Sequence, residues 1–557
     1  MPDHQPSPDP AQVAVSLQEG QMQAVEVGQT QVLLVRVEGE LRAFQAHCPH
    51  HGAPLAEGVL SGTRLVCPWH HACFDLREGT LLEPPALDSL TRYRVRLEGE
   101  TAWIDPAPQE PPSPAPPAGS DPRTLVIVGG GAAGQAAAEE LRRQGFAGRV
   151  VLVSVEAELP YDRPHLSKEF LAEGIEAEAQ PHSHGGSEPA HSHQEEPPAE
   201  GGGHPHPHGH GSLALREEGF YLSLGLELKL GQPVTRLDAQ TRQIELGSSE
   251  VLFYDAALLA TGGVARRLEV PGADLVGVYT LRSLDDARRL VAGAGQAKQV
   301  VIIGAGFIGM EAAASLRAGG LEVTVVAPDP VPLKKVLGER VGRALQGLHE
   351  NHGVRFRLGV KVTGLEGAGR VKAVGLEGGE RLPADLVLVG IGIRPATGFV
   401  QNLALAPDGS LPVEASLRAA EGLWAAGDIA RFPGPQSGEA IRVEHWRVAQ
   451  QQGRLAARAM LGQAVRYQGV PFFWTEHFGL TLNYVGHAER WEQELFWGDP
   501  QGLDFVAFYA QAGRVLAVAG INRDRDLAAA EELLRMGWVP SLEALQSGPS
   551  DLPHWLG

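Results

Sequence analysis

The chain of 557 residues holds only three cysteines, Cys48, Cys67 and Cys73, and the 484 residues after Cys73 hold none. No disulfide framework can be built from them, and thiols confined to one short stretch of so long a chain are the pattern of a metal site. Long apolar runs are also missing. Nothing approaches the roughly 20 consecutive apolar residues of a membrane helix, and the opening residues MPDHQPSPDP lack the basic and apolar regions of a secretory signal. The expected location is therefore cytoplasmic, with no membrane span. Positive charge is in deficit, with 47 Lys plus Arg against 67 Asp plus Glu and a formal net charge of −20. That balance argues against nucleic acid or an anionic membrane as partner. What the chain does have is length enough for three or four domains of about 150 residues.

Residues 12–105 read as short β-rich runs, such as 32–35 and 41–44 about a turn at 38–40, with no helical period, which predicts a small antiparallel β domain. Eight of the 18 residues from 105 to 122 are Pro, so 106–122 is expected to be a stiff extended linker of polyproline character. Two strand–turn–helix patterns follow. Residues 125–128 run into Gly129-Gly-Gly131-Ala-Ala-Gly134, and 300–303 run into Gly304-Ala-Gly306-Phe-Ile-Gly309, each ahead of an Ala-rich helical stretch. Two α/β Rossmann-like nucleotide-binding domains are predicted, the first from 123–280 with 408–465 and the second from 281–407. Residues 466–557 are expected to form a C-terminal α+β domain. Residues 176–212 carry eight His, many Gly and Pro and no Lys or Arg, which predicts a disordered insert in the first nucleotide domain.

The sharpest chemical signal is Cys48-Pro-His50-His51-Gly-Ala-Pro-Leu55 followed by Cys67-Pro-Trp-His70-His71-Ala72-Cys73-Phe74. Two thiolates and two imidazoles from two loops suit either zinc or an iron–sulfur cluster. The Pro after each Cys and the Gly-Ala-Pro-Leu tail resemble the Rieske-type ferredoxin family. That resemblance implies a [2Fe–2S] cluster with Cys48 and Cys67 on one iron and His50 and His70 on the other. It also implies a potential toward the low end of roughly −150 to +300 mV, because Ala72 and Phe74 stand where respiratory members carry hydroxyl donors to the cluster. His71 stands where the family usually has Gly. Cys73, His47 and His51 are expected to be packing or surface residues.

A lone glycine motif says little, but here each copy lies between a strand and a helix, where its glycines let a pyrophosphate approach the helix N-terminus. Glu156, after the strand at 150–153, is placed to hold a ribose hydroxyl. Further along come Tyr161-Asp-Arg163-Pro-His-Leu-Ser-Lys168, Ala260-Thr261-Gly262-Gly263 and Ala425-Ala-Gly-Asp428. These resemble the FAD contacts of oxygenase-coupled ferredoxin reductases and of apoptosis-inducing-factor-like flavoproteins, a likeness that spans nearly all of 123–557. It implies that Arg163 and Lys168 lie beside the flavin, that Asp428 binds the ribityl and pyrophosphate region, and that Trp446 and Trp474 belong to segments at the flavin. It further implies that Gly304, Gly306 and Gly309 take NADH or NADPH, and that Glu311 faces the nicotinamide and pairs with Lys168. An ordinary core role for Trp474 and a surface ion pair for Glu311 are the plainer readings. The acidic residue expected after the strand at 323–326 is replaced by Ala327-Pro328, with Asp329 two positions late and no Arg to claim a 2′-phosphate. With no Cys after Cys73, dithiol and single-thiol flavoenzyme chemistry is excluded.

Taken whole, the chain resembles a Rieske ferredoxin fused to its own FAD-dependent reductase. The expected activity is electron transfer from NAD(P)H through FAD to the cluster and on to an unidentified protein or small-molecule acceptor, from a monomer or a homodimer. The competing expectations are an NADH oxidase or quinone reductase, a redox-controlled interaction protein, and metal handling by the His-rich insert.

Overall fold

The computed structural model describes residues 10–111, 119–179 and 213–556. Of the insert expected at 176–212, residues 176–179 end helix Glu169–Ala179 and so are not disordered, and 180–212, with all eight His, lie outside the described residues. Among those described, no helix is long and apolar enough to cross a membrane.

The N-terminal domain is two antiparallel sheets. Six strands, among them Thr30–Val37 and Glu40–Gln45, form the larger, and a four-stranded sheet from Val59–Ser61 to Thr80–Glu83 carries the second Cys-His loop. Alternation of inward Val, Leu and Phe builds a core around Leu33, Phe44, Leu65 and Phe74, which also encloses Cys48 and Cys67. The linker begins later than the proline count suggests, because strand Thr101–Gln109 continues into it and pairs Pro108 with Tyr93 and Gln109 with Arg92. Among the described residues, strand Ala11–Ala14 pairs only with residues 101–104, so no described strand pairs with Pro106 and Pro108 on that side, and proline's missing N–H costs no ladder bond there.

Both α/β units form as the glycine motifs predict. The first has parallel strands Thr124–Val128, Arg149–Val153, Leu226–Lys229, Ala256–Leu259 and Leu423–Ala425, and the second has Gln299–Ile303, Glu322–Ala327, Arg355–Leu358 and Leu386–Val389. The central strands, such as Thr124–Val128, Gln299–Ile303 and Leu386–Val389, are buried on both faces, hence their Val/Ile/Leu runs, while Leu226–Lys229 and Arg355–Leu358 at the sheet edges are partly exposed and mixed in character. Strands Ile393–Pro395 and Val400–Gln401 pair back onto Gly263–Ala265 and Val234–Asp238 of the first unit, which argues for drawing the return crossover near 390 instead of 407. The last domain is a five-stranded antiparallel sheet, Phe472–His477 at one edge, packed under helix Asp524–Met536. Val59, Val66 and Cys73 of the N-terminal domain share one core with Phe472, Val485, Leu527 and Leu534 of this domain, so the two are joined by buried apolar surface as well as by chain.

Candidate electron-transfer site

The two Cys-His loops close on each other. His50 Nδ1 and His70 Nδ1 lie 3.1 Å apart. Cys48 and Cys67 are buried and in hydrogen-bonding contact, and each sulfur also accepts backbone N–H groups two and three residues on, from His50 and His51 and from Trp69 and His70 respectively. Such donors stabilise a thiolate or a cluster-bound sulfur. A single tetrahedral zinc would draw all four donors within about 4 Å of one another. Among the described residues, however, no three donors joining these cysteines to these histidines lie within 4.8 Å. Sulfurs close to each other, nitrogens close to each other, and a gap between the pairs fit a binuclear centre. His51 and Cys73 are buried and His47 is exposed, and His51 is grouped with His50 and Asp162, whose ligand atoms all lie within 4.8 Å of one another. His71 is completely buried with φ +57°, the left-handed region where glycine is at ease, which accounts for the glycine expected at this position.

Gly129 and Gly131 of the first motif and Gly306 of the second line one cavity of about 2340 Å³ between the α/β units, while Gly134, Gly304 and Gly309 lie behind its wall; the cavity is more than twice the roughly 1,000 Å³ upper end of a small-molecule site and suited to two dinucleotides. A Cβ on Gly134 would come within 1.8 Å of the Gly129 carbonyl oxygen, and one on Gly309 within 2.2 Å of that of Gly304, so both are needed for the turn to close against its helix. A Cβ on Gly131 or Gly306 would meet nothing within 4 Å. These middle glycines are the N-caps of helices Ala132–Arg143 and Phe307–Ala318, neither of which has a side-chain cap, so free N–H groups face open cavity.

Around the first motif, Glu156 accepts hydrogen bonds from the Tyr161 hydroxyl (2.5 Å) and Arg163 (2.7 Å). Arg163 also donates to the Arg282 carbonyl (2.6 Å), and both it and Lys168 line the cavity. Thr261 gives its hydroxyl to the Ala396 carbonyl (2.8 Å), leaving backbone at Gly262 to face the cavity. Asp428 lines the cavity and is held by Arg282 at 2.7 Å. Trp446 and Trp474 complete the wall.

In the wall of the same cavity, Lys168 Nζ lies 3.2 Å from Glu311, and both are buried. Ser167 (2.5 Å) and Thr475 (2.7 Å) donate their hydroxyls to the same carboxylate. Burial pushes the Lys168 ammonium down, but Glu311, Glu476 and Glu169 outweigh it and hold its pKa above the usual lysine value. The plainer reading of Glu311 as a surface pair is therefore wrong, since three segments converge to hold it inside the protein. Sequence reasoning missed Arg282, an isolated arginine without a motif, together with Ser167 and Thr475, which lie inside the quoted segments as neighbours of Lys168 and Trp474.

Trp474 connects the two sites. It lines the dinucleotide cavity and packs against the cluster-site imidazoles, with ring centroids 4.4 Å from His70 and 6.2 Å from His50. Comparison with known proteins agrees with this architecture. A family model described as Pyridine nucleotide-disulphide oxidoreductase matches residues 123–453, one for the Rieske [2Fe-2S] domain matches 10–94, and one for the Reductase C-terminal domain matches 472–555. The chain belongs to the pyridine nucleotide-disulphide oxidoreductase family. It is 37% identical to Apoptosis-inducing factor 3 of Homo sapiens across 96% of this chain and 86% of that one. It is also 35% identical to the biphenyl dioxygenase system ferredoxin–NAD(+) reductase component of Paraburkholderia xenovorans, over 77% of this chain and 97% of that protein. Among solved structures, the ferredoxin reductase for the CYP199A2 system from Rhodopseudomonas palustris superposes with a TM-score of 0.69 at 31% identity, covering 78% of this chain and all of the other. The protein is an NAD(P)H-dependent oxidoreductase with FAD and a Rieske-type cluster as its cofactors. The disulphide of the family's name has no counterpart here, because all three cysteines lie in the Rieske domain.

Proposed function

We propose that electrons pass from NAD(P)H through FAD to the chain's own [2Fe–2S] cluster and then to an acceptor outside the chain. When bound, FAD takes a hydride and gives its two electrons up singly, and the cluster carries them one at a time. The observation that supports the route is Trp474, whose one indole touches both the cavity and the cluster-site histidines. In this reading Gly129, Gly131 and Gly134 hold the FAD pyrophosphate, Glu156 a ribose hydroxyl, and Gly262 and Asp428 the ribityl region. Gly304, Gly306 and Gly309 hold the pyrophosphate of the nicotinamide nucleotide. Lys168 and Glu311 keep a fixed ammonium and carboxylate where the two rings meet, and Cys48, Cys67, His50 and His70 hold the cluster. No side chain is needed as nucleophile, acid or base.

The test is anaerobic rapid mixing with NADH, following flavin bleaching and cluster reduction together. In the wild-type protein the cluster should be reduced after the flavin. In Cys48→Ser the cluster's paramagnetic signal should vanish while flavin content and NADH-driven ferricyanide reduction remain. A signal that survives the substitution overturns the ligand assignment. A wild-type cluster that stays oxidised while the flavin bleaches overturns the route and favours an oxidase with a regulatory Rieske domain.

A further inference from the structure

Beside the cluster site, one buried polar residue of the Rieske domain reaches into the reductase, in addition to the apolar core and the surface pairs, such as Arg216 with Asp88, that the two share. His71 follows cluster-site residue His70 directly, and is completely buried in a backbone conformation that suits glycine better. Its Nδ1 lies 2.7 Å from Glu531 on helix Asp524–Met536 of the C-terminal domain. The other Glu531 oxygen lies 2.7 Å from the guanidinium of Arg447, also completely buried, on helix Trp446–Met460. Arg447 Nε in turn donates to the Pro84 carbonyl of the Rieske domain at 2.7 Å. The His71 ring stacks on Phe472 at 4.0 Å and 21°. An imidazole in a strained turn, a carboxylate and a guanidinium, all buried and drawn from three segments, are costly to bring together unless they pair with one another.

We infer that His71, Glu531 and Arg447 form a latch that keeps the Rieske domain seated on its own reductase, with the imidazole edge of the cluster site held against Trp474. The cluster is then a fixed station and not a carrier that swings on the proline-rich linker. The inference rests on the route proposed above for its functional meaning, but the latch itself is a structural statement. His71 is a positioning residue in it. Per NADH, two electrons leave as one hydride, its proton goes to solvent, and an outside one-electron oxidant such as ferricytochrome c is reduced twice.

The test compares wild type with His71→Gly, which removes the imidazole and relieves the backbone, with His71→Asn, which tolerates the turn and keeps an N–H donor, and with Glu531→Gln. Two readouts are taken on the full chain with its cofactors. These are amide hydrogen exchange in 59–75 and 524–536, and the rate of cluster reduction after flavin reduction. His71→Gly and Glu531→Gln should exchange at least tenfold faster in both segments and slow cluster reduction at least tenfold, with NADH-driven ferricyanide reduction unchanged. His71→Asn should recover most of both. If His71→Gly sheds its iron, Glu531→Gln, made in the other domain, decides by the same readouts. Unchanged exchange in Glu531→Gln overturns the latch. A wild-type cluster that NADH never reduces overturns the route instead, and leaves the exchange result to stand or fall on its own.

Discussion

Replacing Gly131 by Ala separates the cost to the protein from the cost to the ligand. The residue has φ −81° and ψ −166°, an extended conformation open to alanine, and the added methyl meets no protein atom within 4 Å. Two small effects on the folded apo-protein oppose each other. Alanine restricts the unfolded chain and stabilises by about 0.4–1 kcal/mol, while alanine is a poorer N-cap than glycine by a similar amount. Apo stability should therefore change by less than about 0.5 kcal/mol. The methyl projects into the space where the free N–H groups of helix Ala132–Arg143 face the cavity, so a pyrophosphate there must retreat or the loop must bend. Crowding of this kind costs about 1–3 kcal/mol, a roughly 5- to 150-fold weaker FAD affinity. Gly306→Ala is its counterpart at the second motif, with φ −85° and equally open space. It should raise the KM for NADH by a similar factor with FAD content intact. Urea unfolding of apo-protein measures the first quantity and quenching of flavin fluorescence the second, with steady-state kinetics for NADH. The assignment of FAD to the first motif fails if Gly131→Ala leaves FAD affinity within about twofold of wild type, or if the two substitutions exchange their effects.

Two further outcomes are expected. Because Lys168 has a raised pKa in the fold, its pairing with Glu311 contributes stability that is fully present below the unfolded lysine value of about 10.4 and is lost as pH rises through the folded value. Glu311→Gln should thus cost about 3 kcal/mol at pH 7, near the lower end for breaking a buried pair because Glu476 and Glu169 remain. The gap from wild type should narrow above about pH 10 in urea unfolding, and a gap that widens with pH would reverse the argument. Asp329 is paired on the surface with Lys335 at 3.0 Å and does not line the cavity. Ala327→Glu, at the end of strand Glu322–Ala327, should shift the NADH to NADPH ratio of kcat/KM toward NADH by about tenfold, the worth of one hydrogen bond to a charged group, and an unchanged ratio places selectivity elsewhere.

Much of the site was legible because it is written locally. Cys48 with His50, Cys67 with His70, and the two glycine turns are each complete within a few residues, and each needs backbone geometry that few residue types allow. The strands that lead into the glycine turns announced themselves as apolar runs of four residues, 125–128 and 300–303, each ending at a glycine. The Lys168–Glu311 pair, 143 residues apart, could be named only through the likeness to reductases, because no local pattern foretells a buried ion pair. Arg282 with Asp428, and His71 with Glu531 and Arg447, had no such guide. The strand through Pro106 and Pro108 was hidden for another reason: whether proline is tolerated depends on which side of a strand is free, and the next strand, Ala11–Ala14, is 90 residues earlier. The docking of the Rieske domain was invisible since Val59, Val66 and Cys73 look like core positions of any β domain, and the sequence does not say which core they enter.

The strand Phe472–His477 shows how one short segment serves both sites. Its side chains alternate between faces with a period of two. Phe472 and Trp474 share the face toward the Rieske domain, their rings 6.0 Å apart and 26° from parallel, and there Phe472 stacks on His71 while Trp474 meets His70. Phe473, between them, turns the other way and packs at 4.6 Å on both Phe307, the first residue of the second nucleotide helix, and His445, the N-cap of helix Trp446–Met460. That helix divides its residues in the same manner, since Trp446 lines the dinucleotide cavity while Arg447 reaches the Rieske domain. Thr475 continues the Phe473 face and reaches Glu311. A slip of one residue in the pairing of Phe472–His477 with Leu480–Gly486 would exchange the two sets, aim Phe473 at the cluster site and withdraw Thr475 from Glu311. The register of a single edge strand therefore fixes, together, where the cluster site meets the reductase and how the Glu311 carboxylate is held.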